Sequence, residues 1–151
     1  DVGGVGSRAV FGGASDDSDL IHYFNTATQG NSQNFGTLLT AKSEMDGFGD
    51  STRGIFANGY DHPARINVIE YITIASEGNG VDFGDLSSAR KGSAGASNKT
   101  RGLFAAGHAP ASISTIEYVT ITTTGNSQDF GDVTLARGYL GGCSDVHGGL
   151  G

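Results

Sequence analysis

Three aspartates, Asp16, Asp17 and Asp19, lie close together in one short polar segment. Crowded carboxylates are the ligands that a hard cation such as Ca²⁺ prefers, but the segment lacks the Gly and Glu that an EF-hand loop needs at fixed positions. We therefore expect no metal and no other cofactor. We assign the three aspartates instead to a surface that recognises a ligand.

Histidine and cysteine, which often act as bases and nucleophiles, are scattered along the chain. His22, His62, His108 and His147 occupy different positions of an internal repeat, so no shared spacing brings them together as ligands. Cys143 stands among small residues, and we expect it to fill buried space. The sequence therefore predicts a protein that is not an enzyme.

The internal repeat must position any functional residue. A motif of the type Ile-Glu-Tyr-Ile-Thr-Ile occurs three times, with its tyrosine at Tyr23, Tyr71 and Tyr118, so that the copies are 48 and then 47 residues apart. A Phe follows each Tyr after 12 residues, and an Ala follows that Phe after 6. A period of this size is typical of stacked supersecondary units.

Each copy offers four extended runs, here called strands A to D, bounded by Gly, Asn, Asp and Ser, and no segment keeps a helical periodicity. The predicted strands are Val2–Gly6, Ala9–Gly13, Leu20–Ala27 and Gln33–Leu39, then Lys42–Phe48, Gly54–Gly59, Ile66–Ala75 and Val81–Ser87, then Arg90–Ser97, Gly102–Gly107, Ile113–Thr122 and Gln128–Leu135. Residues 137–146 look like one further A strand.

Strand C is apolar on both faces, with Ile116 and Tyr118 on one and Val119 and Ile121 on the other, so it should be covered on both sides. We therefore predict an all-β chain that forms a β-propeller of four-stranded antiparallel blades, with the small residues of strand A nearest the axis. The blades would span about 1–40, 41–88 and 89–135, and 136–151 would begin another.

Three blades cannot close a ring, because closed propellers have at least four. We expect either that the chain is a piece of a longer array or that copies of the chain complete the ring, for example two copies giving six blades. No signal peptide is recognisable, and the first residue is Asp1 rather than Met.

Charged residues also recur with the repeat. Arg8, Arg53 and Arg101 precede strand B, and Arg90 and Arg137 precede strand A. We expect these arginines to pair between blades with Glu70, Glu117 or the turn aspartates; the alternative is a ring of basic residues that binds a ligand. The aspartates themselves, Asp82, Asp85, Asp129 and Asp132, are expected to bond to the turn backbone.

The loops between strands B and C vary in length among the copies, whereas the turns between C and D hardly vary. Strand alternation places the B–C and D–A connections on one face, and variable loops on a repeated scaffold are where binding residues concentrate. This hypothesis competes with simple solvent-exposed loops. Its predicted ligand-binding residues are Asp16, Asp17, Asp19, Asn58, Tyr60, Asp61, His62, Arg65 and His108.

The pattern resembles the kelch repeat, whose blades carry paired glycines after strand B, a Tyr, a later aromatic residue and an Arg before a Gly-rich strand. Val10-Phe11-Gly12-Gly13, Tyr23, Phe35 and Lys42 match in the first copy, although kelch repeats usually have Trp where this chain has Phe. The Phe-Gly-Asp variant is similar to kelch-like repeats of virion structural proteins of marine bacteriophages.

A net charge of −7 and a pI near 4.8 argue against nucleic acid as a partner, and no apolar run is long enough for membrane insertion. The resemblance implies a non-enzymatic module of a virus particle or tail appendage that mediates attachment or assembly, located in the virion or outside the cell. Its partners would be other repeats, virion proteins or a cell-surface glycan. The alternative is a secreted or cell-surface glycan-binding lectin.

Overall fold

The part of the chain described by the computed structural model, residues 7–15 and 18–144, contains twelve β-strands and no helix. The strands are β1 (Arg8–Gly12), β2 (Leu20–Asn25), β3 (Gln33–Thr37), β4 (Asp46–Gly49), β5 (Arg53–Ala57), β6 (Tyr60–Asp61), β7 (Ala64–Thr73), β8 (Val81–Arg90), β9 (Ala94–Ser97), β10 (Arg101–His108), β11 (Ser112–Thr120) and β12 (Gln128–Asp132). The predicted all-β class is confirmed.

The strands form three antiparallel sheets in chain order. Sheet 1 contains β1, β2 and β3, and sheet 3 contains β9, β10, β11 and β12. In sheet 2, β4, β5, β7 and β8 are neighbours in that order, and the two-residue β6 folds back on the start of β7. The predicted Val2–Gly6 strand lies outside the described residues, as do Asp16 and Asp17.

The A strands begin later than predicted, because the backbone bends sharply before them. Glu44, Gly92 and Tyr139 stand at equivalent positions of the repeat and have φ angles of 51°, 59° and 58°. This left-handed conformation interrupts an extended chain. As a result, β4 begins at Asp46 rather than Lys42, and β9 begins at Ala94 rather than Arg90.

The sheets stack face to face, and each interface is an apolar layer built from both neighbours. Between sheets 1 and 2 the buried residues are Ile21, Phe35, Leu38, Phe56 and Ile72. Between sheets 2 and 3 they are Ile55, Ala57, Ile69, Phe83, Leu86, Phe104, Val119 and Ile121. Sheet 2 is thus covered on both faces, as expected of its C strand β7. The expectation is wrong for β11, from whose side chains it was drawn: Val119 and Ile121 pack against sheet 2, but no sheet among the described residues covers Ile116 and Tyr118.

Two glycines of strand D allow this close stacking. Gly36 and Gly84 have positive φ angles of 157° and 145°, and a Cβ on either would strike the backbone of the next sheet's turn, at Gly78 and Gly125 respectively. The equivalent Gly131, with φ of 137°, has open space around it. In the first two copies the Phe-Gly motif therefore marks the place where the next sheet touches the strand.

The array is not closed, and its two outer faces expose large apolar side chains. Phe11 is 57% exposed on sheet 1, and Phe130 and Leu135 are 51% and 64% exposed at sheet 3. The prediction of a further A strand over residues 137–146 is wrong for 137–144, which form no strand, while 145 and 146 lie outside the described residues. An A strand takes its ladder from strand B of its own sheet, and no such strand follows among the described residues.

Cys143 is exposed, so its predicted burial is also wrong. It stands one residue after Gly142, whose Cβ position lies 2.6 Å from the Gly95 carbonyl oxygen of β9. The backbone of this segment therefore already lies against sheet 3. To bury the Cys143 thiol, a further sheet would have to pack on the side of this segment that faces away from sheet 3.

Candidate functional site: a loop cluster and the faces between sheets

The B–C loops and the D–A connections meet on one face, as predicted. Ser43, which follows sheet 1, exchanges two backbone hydrogen bonds with Tyr60 at 2.8 and 3.0 Å. Lys91, which follows sheet 2, exchanges the same pair with His108 at 2.8 and 3.1 Å. Each connection is therefore fastened to the B–C loop of the following sheet.

A set of polar and aromatic side chains gathers where these connections meet. Lys91 Nζ lies 3.0 Å from the Glu44 carboxylate and 4.1 Å from the centre of the Tyr60 ring. The ring of His108 lies 6.4 Å from that of Tyr139, which is 64% exposed. Together with Arg65, these side chains form what we call the loop cluster: Glu44, Tyr60, Arg65, Lys91, His108 and Tyr139.

The cations of the loop cluster are partly compensated. A hydrogen bond to Glu44 raises the pKa of Lys91, so this amine stays charged and paired. Arg65 Nη2 lies 3.2 Å from His108 Nδ1. Because a guanidinium can only donate, Nδ1 must accept, and the imidazole proton is then on Nε2. The loop cluster therefore offers hydrogen-bond donors and an aromatic face to a ligand.

The structure places the predicted site residues unevenly. Tyr60, Arg65 and His108 belong to the loop cluster, and the exposed His62 packs edge-on against Tyr60 with 5.6 Å between the ring centres. Asp61 lies beside them on β6. Asp19 is half-buried at the entry to β2, and its carbonyl accepts the Leu38 N–H at 2.6 Å.

Asn58 is the clear correction. It is fully buried, with φ of 52°, and its amide donates to Ser93 Oγ at 2.6 Å in the interior. Its equivalent Ala106 is likewise fully buried with φ of 57°. Comparing these two positions would have shown that Asn58 belongs to the fold rather than to a surface. Conversely, Glu44, Lys91 and Tyr139 were missed because they come from the D–A connections, which the same alternation of strands brings to this face.

A second set of charged contacts lies between the sheets. Lys42 Nζ lies 2.5 Å from Glu70 Oε1, and Arg90 Nη2 lies 2.5 Å from Glu117 Oε2, with all four side chains almost completely buried. In both pairs the carboxylate lies on strand C of the next sheet, whereas Lys42 follows strand D of sheet 1 and Arg90 is the last residue of strand D of sheet 2. The predicted pairing of Arg90 with Glu117 between repeats is confirmed.

The second oxygen of each glutamate is also satisfied. Glu70 Oε2 accepts the Leu39 N–H at 2.8 Å, and Glu117 Oε1 accepts the Ser87 N–H at 2.9 Å and the Ser127 hydroxyl at 2.7 Å. Burial alone would raise the pKa of Glu117, but these hydrogen bonds and the Arg90 charge together lower it. Each carboxylate therefore ties two neighbouring sheets together.

The arginines before strand B act differently from the prediction. Arg8 and Arg53 donate to the carbonyls of Ile74 and Ile121 in the following sheet, at 2.9 and 2.8 Å. Each guanidinium also covers the Tyr ring of its own sheet, Arg53 at 4.4 Å from Tyr71. Arg8 also has an acidic neighbour, Glu77, at 3.7 Å. These side chains therefore connect successive sheets chiefly through backbone oxygens.

The turn aspartates are a further correction, because their carboxylates accept no bond from turn backbone among the described residues, whereas the asparagine of each following turn bonds to the backbone of the preceding sheet. Asn79 Oδ1 accepts the Thr37 N–H at 3.1 Å, and Asn126 Oδ1 accepts the Asp85 N–H at 3.0 Å. Asp132 instead accepts a bond from the Ser114 hydroxyl at 2.8 Å. The short polar turns therefore serve contacts between sheets rather than only their own backbone.

A cleft of about 400 Å³ opens between sheets 1 and 2 beside β4. Its wall includes Met45, Phe48 and Phe56, and one carboxylate, Asp46. Burial raises the pKa of Asp46 to about 6, and its Oδ2 atom has no protein donor. This carboxylate is therefore poorly solvated at neutral pH.

Within residues 7–15 and 18–144, no group of three or more His, Cys, Asp or Glu side chains could hold a metal ion, and no helix could cross a membrane. Comparison with protein-family models and with curated proteins gives no match. The kelch-like resemblance therefore stays a hypothesis based on the repeat itself.

Proposed function

We propose that this chain is a set of three blades from a β-propeller and that it acts as a non-catalytic binding and assembly module. The observation that carries the proposal is the repetition of one contact set at both interfaces. Four contacts recur between sheets 1 and 2 and between sheets 2 and 3: an ion pair, a hydrogen bond from an arginine to a carbonyl, a hydrogen bond from a backbone N–H to an asparagine Oδ1, and a close glycine contact. A contact set that repeats in one direction can continue to further sheets.

The A strands of successive sheets lie very close together, which supports a propeller axis at the edge that these strands form. The Cβ position of Gly95 in β9 lies 2.8 Å from the carbonyl oxygen of Gly47 in β4. The Cβ position of Gly142 has the same relation to Gly95, at 2.6 Å. Strands that come this close need small residues, and a crowded inner edge is what radial packing of blades produces.

The biological role proposed is attachment or assembly within a virus particle or tail appendage, in the virion or outside the cell. This part of the proposal is based on the resemblance of the repeat to kelch-like virion proteins. The loop cluster supports a recognition role, because it joins loops of different sheets on one accessible face. The partners would be further repeats, virion proteins or a cell-surface glycan.

A glycan-binding lectin is the second candidate. One observation favours it: Tyr139 presents an exposed ring beside the donors of Lys91 and His108. A sugar ring can stack on such an aromatic ring while the hydroxyls of the sugar accept hydrogen bonds from neighbouring donors. Asn58 takes no part in this version, because it is buried.

Two measurements test the choice. Antibodies against the chain that label purified virus particles in electron microscopy would support the first role. Specific binding on a glycan array that is lost in Tyr139→Ala and kept in Tyr118→Phe would establish the lectin instead. Images of the assembled protein without an annular outline would contradict the propeller.

A further inference from the structure

The C strands of the three sheets differ at one charged position. Glu70 and Glu117 stand directly before the Tyr of their copies, and each forms a buried ion pair with a cation of the preceding sheet. Sheet 1 has His22 at this position. An imidazole, neutral or protonated, carries no negative charge, so it cannot replace the carboxylate.

His22 lies on the outer face of sheet 1. Its neighbours Ile21 and Tyr23 pack against sheet 2, so strand alternation directs His22 the other way. It shares that outer face with Phe24, which is 37% exposed, and with Phe11, its partner in the β1–β2 register. This is the face that a preceding sheet would cover.

Arg137 supplies the matching cation at the opposite end. Its carbonyl accepts the Gly107 N–H at 2.9 Å, just as the Arg90 carbonyl accepts the Gly59 N–H at 2.9 Å. The Arg137 N–H donates to the Ile113 carbonyl. Ile113 is the equivalent of Ile66, the residue that pairs with Arg90 in sheet 2. The backbone of Arg137 is therefore set as that of Arg90, but its side chain is exposed and contacts no carboxylate among the described residues.

We propose that the outer face of sheet 3 binds a sheet of the same repeat that carries a Glu before the Tyr of its third strand, and that His22 excludes sheet 1 of a second copy from this position. The expected partner is thus an acidic sister sheet rather than this chain itself. Six blades from two copies, the example drawn from the sequence, would be disfavoured.

The physical reason is the burial of Arg137 in such a contact. Arg90 is fully buried in the equivalent interface, where Glu117 balances its charge. A copy that brings His22 there would bury the guanidinium without an anion, and an uncompensated buried charge is strongly unfavourable. Charge at this single position therefore selects the partner, as unpaired charges do in other specific interfaces.

A gain-of-function variant tests the proposal. His22→Glu creates the missing carboxylate on the exposed face of sheet 1, and His22→Gln is the uncharged control. We expect H22E to self-associate at least about tenfold more tightly than the unchanged protein or H22Q, measured by sedimentation velocity across a concentration series. Adding Arg137→Gln to H22E should remove the gain, and Gly131→Ala should also remove it, since a Cβ there would strike the arriving turn.

Two results would overturn the proposal: self-association of the unchanged protein as tight as that of H22E, or equal association of H22E and H22Q. Circular dichroism melting of each variant establishes that it is folded. The proposal rests on the proposed stacking of like sheets, but the two fail differently. Open filaments of H22E would contradict the closed propeller and leave the charge selection intact, whereas no gain in H22E refutes the selection whatever the shape.

Discussion

Arg90 Nη2 and Glu117 Oε2 meet at 2.5 Å between two sheets, with both side chains withdrawn from solvent. The same relation joins Lys42 to Glu70 one interface earlier. A buried pair of this kind is weak evidence for extra stability, because both charges lost their hydration. Its consequence is specificity, since neither residue tolerates the loss of the other.

Glu117→Gln should therefore destabilise the protein by about 3–5 kcal/mol, because it leaves the Arg90 charge buried without an anion. Urea unfolding followed by circular dichroism measures the change. Glu44→Gln is the matched control, since its pair with Lys91 is partly exposed and should be worth less than about 1 kcal/mol. Equal losses in the two variants would contradict the interpretation, and Arg90→Met combined with Glu117→Leu should recover much of the stability.

The Glu117 pair also predicts a loss of stability in acid. The pKa of Glu117 is lower in the folded protein than its ordinary value of 4.5, so the folded state favours the carboxylate. Its contribution is complete above the unfolded pKa and is lost as the pH falls through the lowered, folded pKa. The free energies of unfolding of the unchanged protein and E117Q, plotted against pH, should therefore draw together as the pH falls below 4.5 and become equal only below the lowered, folded pKa. A constant difference down to the acid limit would contradict this assignment.

Asp46 should have the opposite pH dependence. Its folded pKa of about 6 exceeds its ordinary value of 3.8, so the folded state binds a proton more readily and loses stability as the pH rises between these values. Asp46→Asn should stabilise the protein by about 1–3 kcal/mol near pH 7 and by little near pH 4. Urea titrations at both pH values measure this, with the exposed Asp129→Asn as the control. A variant less stable than the unchanged protein near pH 7 would show that the carboxylate is needed as an anion.

A matched pair of glycines tests the stacking itself. Gly84 and Gly131 have similar φ angles of 145° and 137°, but only Gly84 lies against the backbone of a following sheet. Alanine should strain both positions similarly, so the difference between the variants reports the contact. Gly84→Ala should cost about 1–3 kcal/mol more than Gly131→Ala in thermal or urea unfolding. Equal costs would mean that the sheets separate readily at this point.

The repeat and the alternation of apolar residues predicted most of the strands, and the two-sided burial expected of strand C holds for β7. It does not hold for β11, because no further sheet among the described residues covers Ile116 and Tyr118. They failed at the A strands, because Glu44, Gly92 and Tyr139 share a backbone angle without sharing a residue type. The variable loops predicted part of the loop cluster. The error at Asn58 arose because a polar residue was assigned to the surface without comparison with Ala106, which occupies the same position of the next repeat and is buried. The loop cluster could not be predicted from the B–C loops alone, because it also depends on D–A connections from different repeats.

The order of residues in each buried ion pair has a consequence for protein synthesis. Lys42 leaves the ribosome before Glu70, and Arg90 before Glu117, so a finished sheet carries an unbalanced cation until the third strand of its successor is made. Domains and repeats generally fold as they emerge from the N-terminal end. The nascent array should therefore grow in one direction. Each newly translated glutamate would form the ion pair that holds its own sheet against the preceding one.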